Sequence, residues 1–436
     1  MSKFSGKKLL ILGGAFQHCK LVECARKMGV ITYVTDYLPF EKAPAKQIAD
    51  KYYNINITDI DDIVKLCRDE KIDGVLSTSL DPCQIPYYKI CKELELPCYG
   101  TEEQFHIMTD KSAFKAFCKE SGVDTIPQYT ESDFESEDIC NDRVEFPILI
   151  KPGVSRGSRG QTICDSYCQV AQAIEFAKSE SDSGEIVIEK YMGQAGDFSM
   201  TLLVINGKAY AYRTVDRFLG KYEDGLDRLA VGAASPSIFT EVYLKKAQEK
   251  IENFIQKLGI VNAPIFMQGF VDGDTVRFYD PGLRLPGGEY ERMFRHVFGR
   301  DLLCPLVELA LTGSVTEYAN ILNEDDVFLD GKVIAQVLPT LRGGVITSVE
   351  GLDEIRNHPC VVAVFDKHMI GDTIKENHNV SQRFAEIDVV CDSNAEMAEV
   401  VRLIYDTLKI TDENGDNMIV SSFDPEVFLD RRIISI

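Results

Sequence analysis

The chain has 436 residues, of which 45% are hydrophobic and 27% charged, and its formal net charge is −22. This length and composition predict two or three globular domains and exclude a disordered or fibrous protein. The acidic excess argues against nucleic acid and membranes as partners, because anionic surfaces attract clustered lysine and arginine. A bound anion would therefore need a local positive pocket.

The N-terminus and the cysteines bear on the compartment. The first apolar run, residues 8–13, is too short for a signal or transmembrane segment and is interpreted as a strand. The 13 cysteines are scattered without a Cys-x-x-Cys pair, which predicts free thiols in a reducing environment. We therefore expect a cytoplasmic protein.

Residues 1–105 alternate between apolar runs and amphipathic segments, which predicts an open parallel sheet of the Rossmann-like type. The segment after the first strand, Gly13-Gly14, lacks the G-x-G-x-x-G spacing, so a dinucleotide is disfavoured here. Ligands of such sheets bind at the carboxyl ends of the strands. The predicted strands are 8–13, 31–35, 52–55, 74–77 and 96–99, and the predicted helices are 21–28, 60–69 and 84–93.

The stretch 146–160, FPILIKPGVSRGSRG, follows a predicted helix at 109–121, which ends at Gly122, and an acidic linker at 130–143 that we expect to be exposed. It predicts a short buried strand, then Lys151, then a glycine-rich loop leading to a strand at 161–164. Glycine, hydroxyl and cationic residues suit a loop that wraps a phosphate. A mobile hairpin loop with solvated arginines explains the same pattern, so both interpretations stay open at this point.

The remaining elements follow in order. A turn-rich loop is predicted at 221–237, and residues 325–416 predict a compact α+β unit. Predicted strands are 185–192, 197–205, 266–270, 276–280, 332–338, 361–367 and 384–391, and predicted helices are 167–178, 241–258, 300–312 and 395–408.

Chemically suggestive residues recur along this pattern in a fixed order, and that order resembles the ATP-grasp superfamily. The family includes biotin carboxylase, D-alanine D-alanine ligase, the large subunit of carbamoyl phosphate synthetase and L-amino-acid ligases. The resemblance covers residues 9–392 approximately. The residues that carry it are Lys111, Lys151 with its loop, Glu189 to Met192, Asp197, Gln268, Asp280 and Arg284.

The resemblance implies a mixed α/β and α+β fold. A Rossmann-like domain would cover residues 1–105 and a two-lobed nucleotide-binding domain 106–315, with a small lobe at about 110–190 and a large lobe at about 191–315. A C-terminal α+β domain, 316–436, would complete the ATP-grasp module. Its segments 339–346 and 381–384 are expected to support or reach the active site.

The resemblance also implies an ATP site. Lys111 and Lys151 would neutralise the ATP phosphates, and Asp197 would accept hydrogen bonds from the ribose. The loop would close over the γ-phosphate through Ser155, Arg156, Gly157, Ser158 and Gly160, and the adenine would lie against Glu189, Lys190, Tyr191 and Met192.

Metal, catalytic and substrate residues are implied in the same way. Asp280 and Gln268 would hold Mg²⁺, or Mn²⁺ in its place, although the family usually has glutamate and asparagine where Gln268 and Gly282 stand here. Glu289 or Glu291 would have to supply any further charge that a second ion needs. The catalytic residues would be Arg284, Lys151 and Arg217, and the substrate would contact Arg284, Gly287, Gly288 and Arg292.

The activity that the resemblance implies is an ATP-dependent ligase that converts a small-molecule carboxylate into an acyl phosphate and couples it to an amino-acid-like amine, releasing ADP and phosphate. A homodimer would be typical. Two other hypotheses are a nucleotide-binding sensor with a depleted metal site and an oxidoreductase that binds a dinucleotide in the first domain. Mg²⁺-dependent turnover separates the first of these from a ligase, and a bound NAD or flavin would reveal the second.

Overall fold

A computed structural model of the protein describes residues 3–77, 79–152, 161–181, 184–193, 195–220, 229–376 and 379–434. Its strands are β1 (Lys8–Leu12), β2 (Ile31–Thr35), β3 (Lys51–Tyr53), β4 (Gly74–Leu76), β5 (Gln128–Tyr129), β6 (Ile148–Pro152), β7 (Thr162–Cys164), β8 (Ile186–Lys190), β9 (Gly196–Ile205), β10 (Lys208–Leu219), β11 (Ala230–Ser235), β12 (Ala263–Asp272), β13 (Thr275–Gly282), β14 (Val333–Val337), β15 (Thr340–Leu341), β16 (Gly344–Val345), β17 (Ser348–Glu350), β18 (Val361–Asp366), β19 (Thr373–Ile374), β20 (Ala385–Cys391), β21 (Lys409–Thr411) and β22 (Ile419–Ser421).

The helices alternate with these strands in the first domain and are more widely spaced later. They are α1 (Cys19–Lys27), α2 (Pro44–Ile48), α3 (Ile60–Glu70), α4 (Asp81–Glu93), α5 (Glu102–Ile107), α6 (Lys111–Ser121), α7 (Glu137–Arg143), α8 (Val170–Ser179), α9 (Thr240–Lys246), α10 (Gln248–Lys257), α11 (Tyr290–Phe298), α12 (Cys304–Thr312), α13 (Leu352–Arg356) and α14 (Asn394–Thr407). The longest helix among the described residues has 14 residues, and none is long and apolar enough to cross a membrane.

The first domain is a four-stranded parallel sheet in the order β3-β2-β1-β4, which confirms the predicted Rossmann-like arrangement. The predicted strand at 96–99 is wrong, because these residues form no ladder. Instead the Tyr99 N–H donates to the Tyr87 hydroxyl and the Tyr99 hydroxyl donates to the Ser77 carbonyl. Side-chain bonds thus hold this segment where a ladder was expected.

The small lobe is an antiparallel sheet in the order β5-β8-β6-β7. The acidic linker predicted at 130–143 is mostly exposed, as expected, but it is not irregular. It contains a 3₁₀ helix, Glu131–Phe134, and α7, and both bury a side chain, Phe134 and Cys140, in the core of this lobe. These helices are short and each buries only one side chain, so their sequences show no apolar periodicity that would predict a helix.

The large sheet has eight strands in the order β13-β12-β9-β10-β11-β14-β20-β18. Strand β11 lies in the middle of it, within the segment predicted as a loop, so that prediction is wrong for residues 230–235. Its sequence, AVGAAS, resembles a loop because the packing requires small residues. A Cβ on Gly232 would lie 2.2 Å from the Phe423 ring.

Strands β14, β20 and β18 extend the same sheet, so the C-terminal residues are joined to the large lobe by a continuous hydrogen-bonded ladder. The limits proposed for the three domains remain predictions. One buried apolar cluster unites the first domain with the large lobe, a second fills the C-terminal unit and a third fills the small lobe. The shared cluster places the carboxyl ends of β1 and β4 beside the large sheet.

Two helix predictions need correction. The helix predicted at 241–258 is divided into α9 and α10, because Ala247 leaves helical geometry with a φ of −121°. Helix α11 was not predicted, although it carries Arg292. The C-terminal stop predicted at Gly122 is confirmed, since this residue has a φ of +74°, which glycine adopts without strain.

His18 provides a stability prediction. Its ring is fully buried against Gly13, neither ring nitrogen has a hydrogen-bond partner among the described residues, and burial lowers its pKa to about 4. In the unfolded chain this histidine has its ordinary pKa of 6.5. Between pH 6.5 and about pH 4 the unfolded chain therefore binds a proton that the folded chain does not bind, and acidification favours unfolding. Lowering the pH from about 7 to about 5 should therefore reduce the free energy of unfolding by about 2 kcal/mol through this histidine.

The measurement is urea unfolding of the wild type and His18→Gln at both pH values. Glutamine does not titrate, so between about pH 7 and about pH 5 the free energy of unfolding of the variant should fall by about 2 kcal/mol less than that of the wild type. An identical pH dependence of the two proteins would contradict the assignment.

Candidate active site

Two of the predicted phosphate ligands reach the cleft between the lobes from different elements. Lys111, at the start of α6, is 67% exposed, and its Nζ lies 3.3 Å from the Asp280 carboxylate at the end of β13. Lys151, on β6, donates to the Glu189 carboxylate of β8. Leu149 is directly opposite Glu189 in the ladder, so Lys151, two residues further along β6, is a diagonal neighbour of Glu189 on the same face of the sheet. Both cations are thus paired with acids of the predicted site.

Lys115 joins these lysines and was not predicted. It lies one helical turn after Lys111, so both side chains project from the same face of α6. Burial lowers its pKa, nearby Glu189 opposes that shift, and the positive charges of Lys151 and Lys111 add to it. The i,i+4 spacing on an amphipathic helix was the available signal.

The strand predicted to contact adenine is β8 and its exit. The Lys190 N–H donates to the Pro127 carbonyl and the Tyr191 N–H to the Pro147 carbonyl, so both backbone donors already have protein partners. The Lys190 side chain lies 2.7 Å from Glu145 and 2.5 Å from Asp272 of the β12–β13 turn, which links the two lobes.

The Met192 side chain is buried, while that of Tyr191 folds against Gly193, where a Cβ would lie 2.1 Å from its hydroxyl. Both side chains of the predicted adenine site are thus packed against the protein itself. The predicted loop residues Ser155, Arg156, Gly157, Ser158 and Gly160 lie outside the described part of the chain.

A chain of polar contacts crosses one face of the large sheet. Asp197 on β9 and Arg217 on β10 form two hydrogen bonds, of 2.9 Å and 2.7 Å. Gln268 on β12 is directly opposite Asp280 on β13. In the amide orientation that satisfies both neighbours, its nitrogen donates to Asp280 at 3.2 Å and its oxygen accepts from Arg217 at 3.0 Å. The predicted ribose and metal residues and one of the three predicted catalytic residues, Arg217, therefore form one connected row that also reaches Lys111.

Burial alone would lower the pKa of Arg217, but hydrogen bonding to Asp197 outweighs it and the pKa is raised. The guanidinium is therefore permanently charged. Asp197 and Arg217 also border a cavity of about 450 Å³ whose far wall is the C-terminal segment. There the buried Arg431 donates to Asp216 at 2.8 Å, a role that the sequence did not suggest.

Arg284, the predicted catalytic and substrate-binding residue, is held by the first domain. Its guanidinium forms two hydrogen bonds to Asp81, of 2.5 Å and 2.8 Å, and lies over the Phe266 ring. Asp81 begins α4, just after the carboxyl end of β4, where the sequence predicted ligand-binding residues. Arg284 thus closes the contact between the first domain and the large sheet.

A second cavity of about 450 Å³ lies between the large sheet, the first domain and the C-terminal unit. Gly287 and Gly288, two of the residues predicted to contact the substrate, line it. Gly288 has a φ of +93°, and a Cβ there would lie 2.9 Å from Gln336. Its charged lining residues are Arg213, Arg217, Glu289, Asp366, Lys367, Arg383 and Glu386, and its apolar walls include Phe16, Phe266, Leu338 and Phe365.

Beside this cavity, Arg292 is engaged by two acids. Its terminal nitrogens donate to Glu23 at 2.6 Å and 2.9 Å, and its Nε donates to Glu289 at 2.7 Å. Glu291 accepts from Lys20 at 2.6 Å and from Tyr212 at 3.1 Å. The structure therefore directs Arg292 and Glu291 into contacts between the first domain and α11, rather than toward Asp280.

Comparison with known families and structures shows which proteins this chain is similar to. The model of the PylC-like N-terminal domain matches residues 9–87, and that of the carbamoyl-phosphate synthase L chain ATP-binding domain matches residues 110–206. The phosphoribosylglycinamide synthetase of Anaerococcus prevotii is structurally similar, with a TM-score of 0.76, 15% identity and coverage of 94% of this chain and 100% of that one. Together these matches indicate the ATP-grasp superfamily, in agreement with the resemblance found in the sequence.

Other ATP-grasp structures are similar over a comparable length. The L-amino acid ligase of Bacillus licheniformis has a TM-score of 0.72 and 18% identity, covering 94% of this chain and all of that one. The biotin carboxylase domain of the 2-oxoglutarate carboxylase of Hydrogenobacter thermophilus has a TM-score of 0.69 and 16% identity, covering 93% and 90%. Its structure is a dimer in complex with MgADP, ADP and bicarbonate.

Curated relatives match more distantly by sequence. The formate-dependent phosphoribosylglycinamide formyltransferase of Wolinella succinogenes is 22% identical over 255 residues, which cover 58% of this chain and 63% of that protein. The enzyme of the same name from Bacillus velezensis is 22% identical over 269 residues, covering 59% and 65%. The chain therefore spans slightly less than two-thirds of the length of these relatives.

The residues predicted to hold a metal would fit one hard cation. Asp280 would be the carboxylate donor, Gly282 has no side chain, and the Gln268 amide nitrogen rather than its oxygen faces Asp280. Mg²⁺ in such sites retains water and binds phosphate oxygens, so one carboxylate is compatible with one ion. Among the described residues, the clusters of three potential ligands contain cysteine and lie elsewhere, at Cys24, Asp301 and Cys304 and at Cys360, Cys391 and Glu396.

Gln268→Glu should strengthen metal binding. A carboxylate at this position would lie beside Asp280 and keep its contact with Arg217, and added ligand charge raises the affinity for divalent cations, here on the order of tenfold. The measurement is a Mg²⁺ titration of nucleotide binding. Gln268→Met, equal in length but uncharged, is the matched control and should not strengthen it. Unchanged Mg²⁺ dependence in Gln268→Glu would remove residue 268 from the metal site.

Proposed function

We propose that the protein is an ATP-dependent ligase that phosphorylates a small-molecule carboxylate and joins the resulting acyl group to an amine, releasing ADP and phosphate. The observation that carries this proposal is the convergence of two features on one cleft. Lys111, Lys115 and Lys151 gather positive charge, and the row from Asp197 to Asp280 leads from that cleft into the second cavity. A triphosphate and an acceptor would therefore meet at the Gln268–Asp280 row.

Each charged residue has a defined task in this reaction. The lysines offset the charge of the phosphates in a chain whose overall charge would repel them. Arg217, fixed by Asp197 and Gln268, would face the oxygens of the transferring phosphoryl group and stabilise the charge that builds there. When bound, Mg²⁺ would screen phosphate charge and orient the phosphoryl group, and Asp280 would hold it.

The acyl phosphate demands a site without free water, because hydrolysis competes with the amine. The second cavity is lined by three parts of the chain, and the contact of Arg284 with Asp81 joins two of them. Bound in that cavity, carboxylate and amine would be held close to each other, which removes much of the entropic cost of bringing two reactants together. A homodimer belongs to the proposal, in line with the biotin carboxylase domain dimer.

The proposal is tested by ADP release in the presence of Mg²⁺, ATP and pools of small carboxylic acids, each with and without amines. Release that requires both an acid and an amine supports the ligase. Silence across the pools, with ATP bound in calorimetry, would reject it and favour the nucleotide sensor that the reduced metal motif allows.

A further inference from the structure

We propose that Cys24, Asp301 and Cys304 bind one Zn²⁺ ion, which fixes the first domain on the large lobe. This site is separate from the Mg²⁺ position proposed at Asp280, and it does not depend on the ligase activity. It follows from a cluster of metal-ligating side chains whose two sulfur atoms and carboxylate oxygen all lie within 4.8 Å of one another. The two cysteines are 280 residues apart in the chain, so no sequence motif indicates them.

The two thiols meet where α1 of the first domain approaches α12 of the large lobe. Their Sγ atoms are 3.5 Å apart, and Cys24 and Cys304 are 1% and 9% exposed. Two sulfur ligands of a tetrahedral zinc ion, with Zn–S bonds of about 2.3 Å, lie about 3.8 Å apart. One ion can therefore bridge these thiols with a small adjustment. A disulfide would instead need an oxidising environment, whereas the scattered cysteines predict a reducing one.

Asp301 supplies the third ligand and is itself held in place. Its Oδ2 accepts from Arg295 of α11 at 2.9 Å, and its Oδ1 accepts from the Leu303 N–H at 3.2 Å. Each carboxylate oxygen accepts more than one bond, and hydrogen bonds of this kind orient a metal-ligating carboxylate. The positive charges of Zn²⁺ and Arg295 cancel the negative charges of two thiolates and one carboxylate. The buried site would thus be neutral, which keeps its desolvation cost low.

The kind of donor selects the ion. A third sulfur atom, the Sδ of Met28, lies 3.9 Å from the Cys24 Sγ. Thiolate and thioether sulfur bind zinc well and bind Mg²⁺ and Ca²⁺ poorly, since these hard cations require oxygen ligands. The carboxylate in turn favours Zn²⁺ over Cu(I), which prefers an all-sulfur site. Met28 or a water molecule would complete the tetrahedron.

Binding exchanges protons for metal. The hydrogen bond with Cys304 and burial raise the pKa of the Cys24 thiol, so this sulfur carries a proton at neutral pH. Zinc binds the thiolate, so the S–H bond breaks as the Zn–S bond forms, and the proton passes to solvent. No oxidant or other reactant is needed. Zinc affinity should therefore increase with pH.

The ion would strengthen a contact that is already close. Strand β4 packs so tightly on α12 that a Cβ on Gly74 would lie 2.4 Å from the Ala310 carbonyl oxygen. Helix α1 also carries Lys20, which donates to the Gly288 carbonyl, and Glu23, which accepts from α11. A zinc ion between α1 and α12 would therefore also fix the helix that contacts the second cavity.

The test is a Zn²⁺ titration of the full chain, purified without a histidine tag and stripped of metal, in excess Mg²⁺. About one equivalent should bind, with a dissociation constant on the order of nanomolar or lower, and at least about one proton should be released per ion. Calorimetry in buffers of different ionisation enthalpy counts the protons. Co²⁺ in place of Zn²⁺ should give the near-ultraviolet absorption of cobalt–thiolate bonds. Failure to bind Zn²⁺, or binding without proton release and without that absorption, would overturn the proposal.

Variants locate the ion. Cys24→Ser and Cys304→Ser should each lower zinc affinity at least about 100-fold, and Asp301→Asn and Arg295→Met at least about tenfold. Cys118→Ser, which alters a fully buried thiol outside the cluster, is the matched control and should have no effect. Nucleotide binding by each variant shows that it is folded.

The second cysteine cluster provides the contrary outcome. Zinc affinity kept in Cys24→Ser and Cys304→Ser but lost in Cys391→Ser would place the ion at Cys360, Cys391 and Glu396 and overturn the assignment. Zinc binding by a protein that releases no ADP would support this site and reject the ligase alone. The two proposals therefore fail independently.

Discussion

Asp280→Asn is expected to reduce ADP release at least about 100-fold, because it removes the one carboxylate of the metal motif. Asparagine has nearly the same size and can still accept a hydrogen bond from Gln268, so the strand pairing should survive. The loss should appear in kcat, with a shift to higher Mg²⁺ requirement, since the metal orients the transferring phosphoryl group. Steady-state assays over a range of Mg²⁺ concentrations measure both.

Asp274→Asn is the matched control for this variant. Asp274 lies in the turn of the same β12–β13 hairpin, is 61% exposed and pairs with Lys246 at 3.0 Å. Its substitution should leave turnover unchanged, because exposed ion pairs contribute little. If Asp280→Asn retained turnover within about threefold of the wild type, Asp280 would not be the metal ligand.

Lys151→Met should weaken ATP binding by one to two orders of magnitude, on the scale of a lost charge-assisted contact. The substitution removes a phosphate partner and also frees the Glu189 carboxylate, which then repels the nucleotide. Adding Glu189→Gln to Lys151→Met should therefore recover part of the affinity. Isothermal titration with an ATP analogue measures all three proteins.

Lys178→Met provides the control in the same lobe, where Lys178 forms an exposed pair with Glu131 at 2.7 Å. ATP affinity in this variant should equal that of the wild type. An Lys151→Met protein that binds ATP normally would place the phosphates elsewhere. A double variant no better than the single one would show that Glu189 does not act through repulsion.

Local patterns in the sequence were enough for most of the first domain. Apolar runs separated by amphipathic segments are a strong local signal, and β1, β2, β4 and α3 lie within two residues of their predictions. The segment 230–235 could not be recognised in this way. Its small residues are selected by Phe423, which lies almost 200 positions later in the chain, so a long-range contact decided its structure.

The candidate site was likewise predictable in part from the sequence and in part only from the folded structure. The order of Lys111, Lys151, Asp197 and Asp280 along the chain predicted residues that the structure joins in a cleft. Lys115 carries no motif of its own, and its proximity to Lys151 and Glu189 appears only after folding. Cross-strand register, which places Gln268 between Asp280 and Arg217, likewise follows only from the assembled sheet.

The central claim is that a substrate carboxylate is phosphorylated before it is joined to an amine. The most direct test uses the acid identified by ADP release, labelled with ¹⁸O in its carboxylate, together with Mg²⁺, ATP and the amine. The acyl phosphate pathway predicts one ¹⁸O atom in each phosphate released, because the bridging oxygen leaves with the phosphoryl group. Phosphate without label, formed at the same rate as ADP, would mean that water accepts the phosphoryl group and would contradict the account.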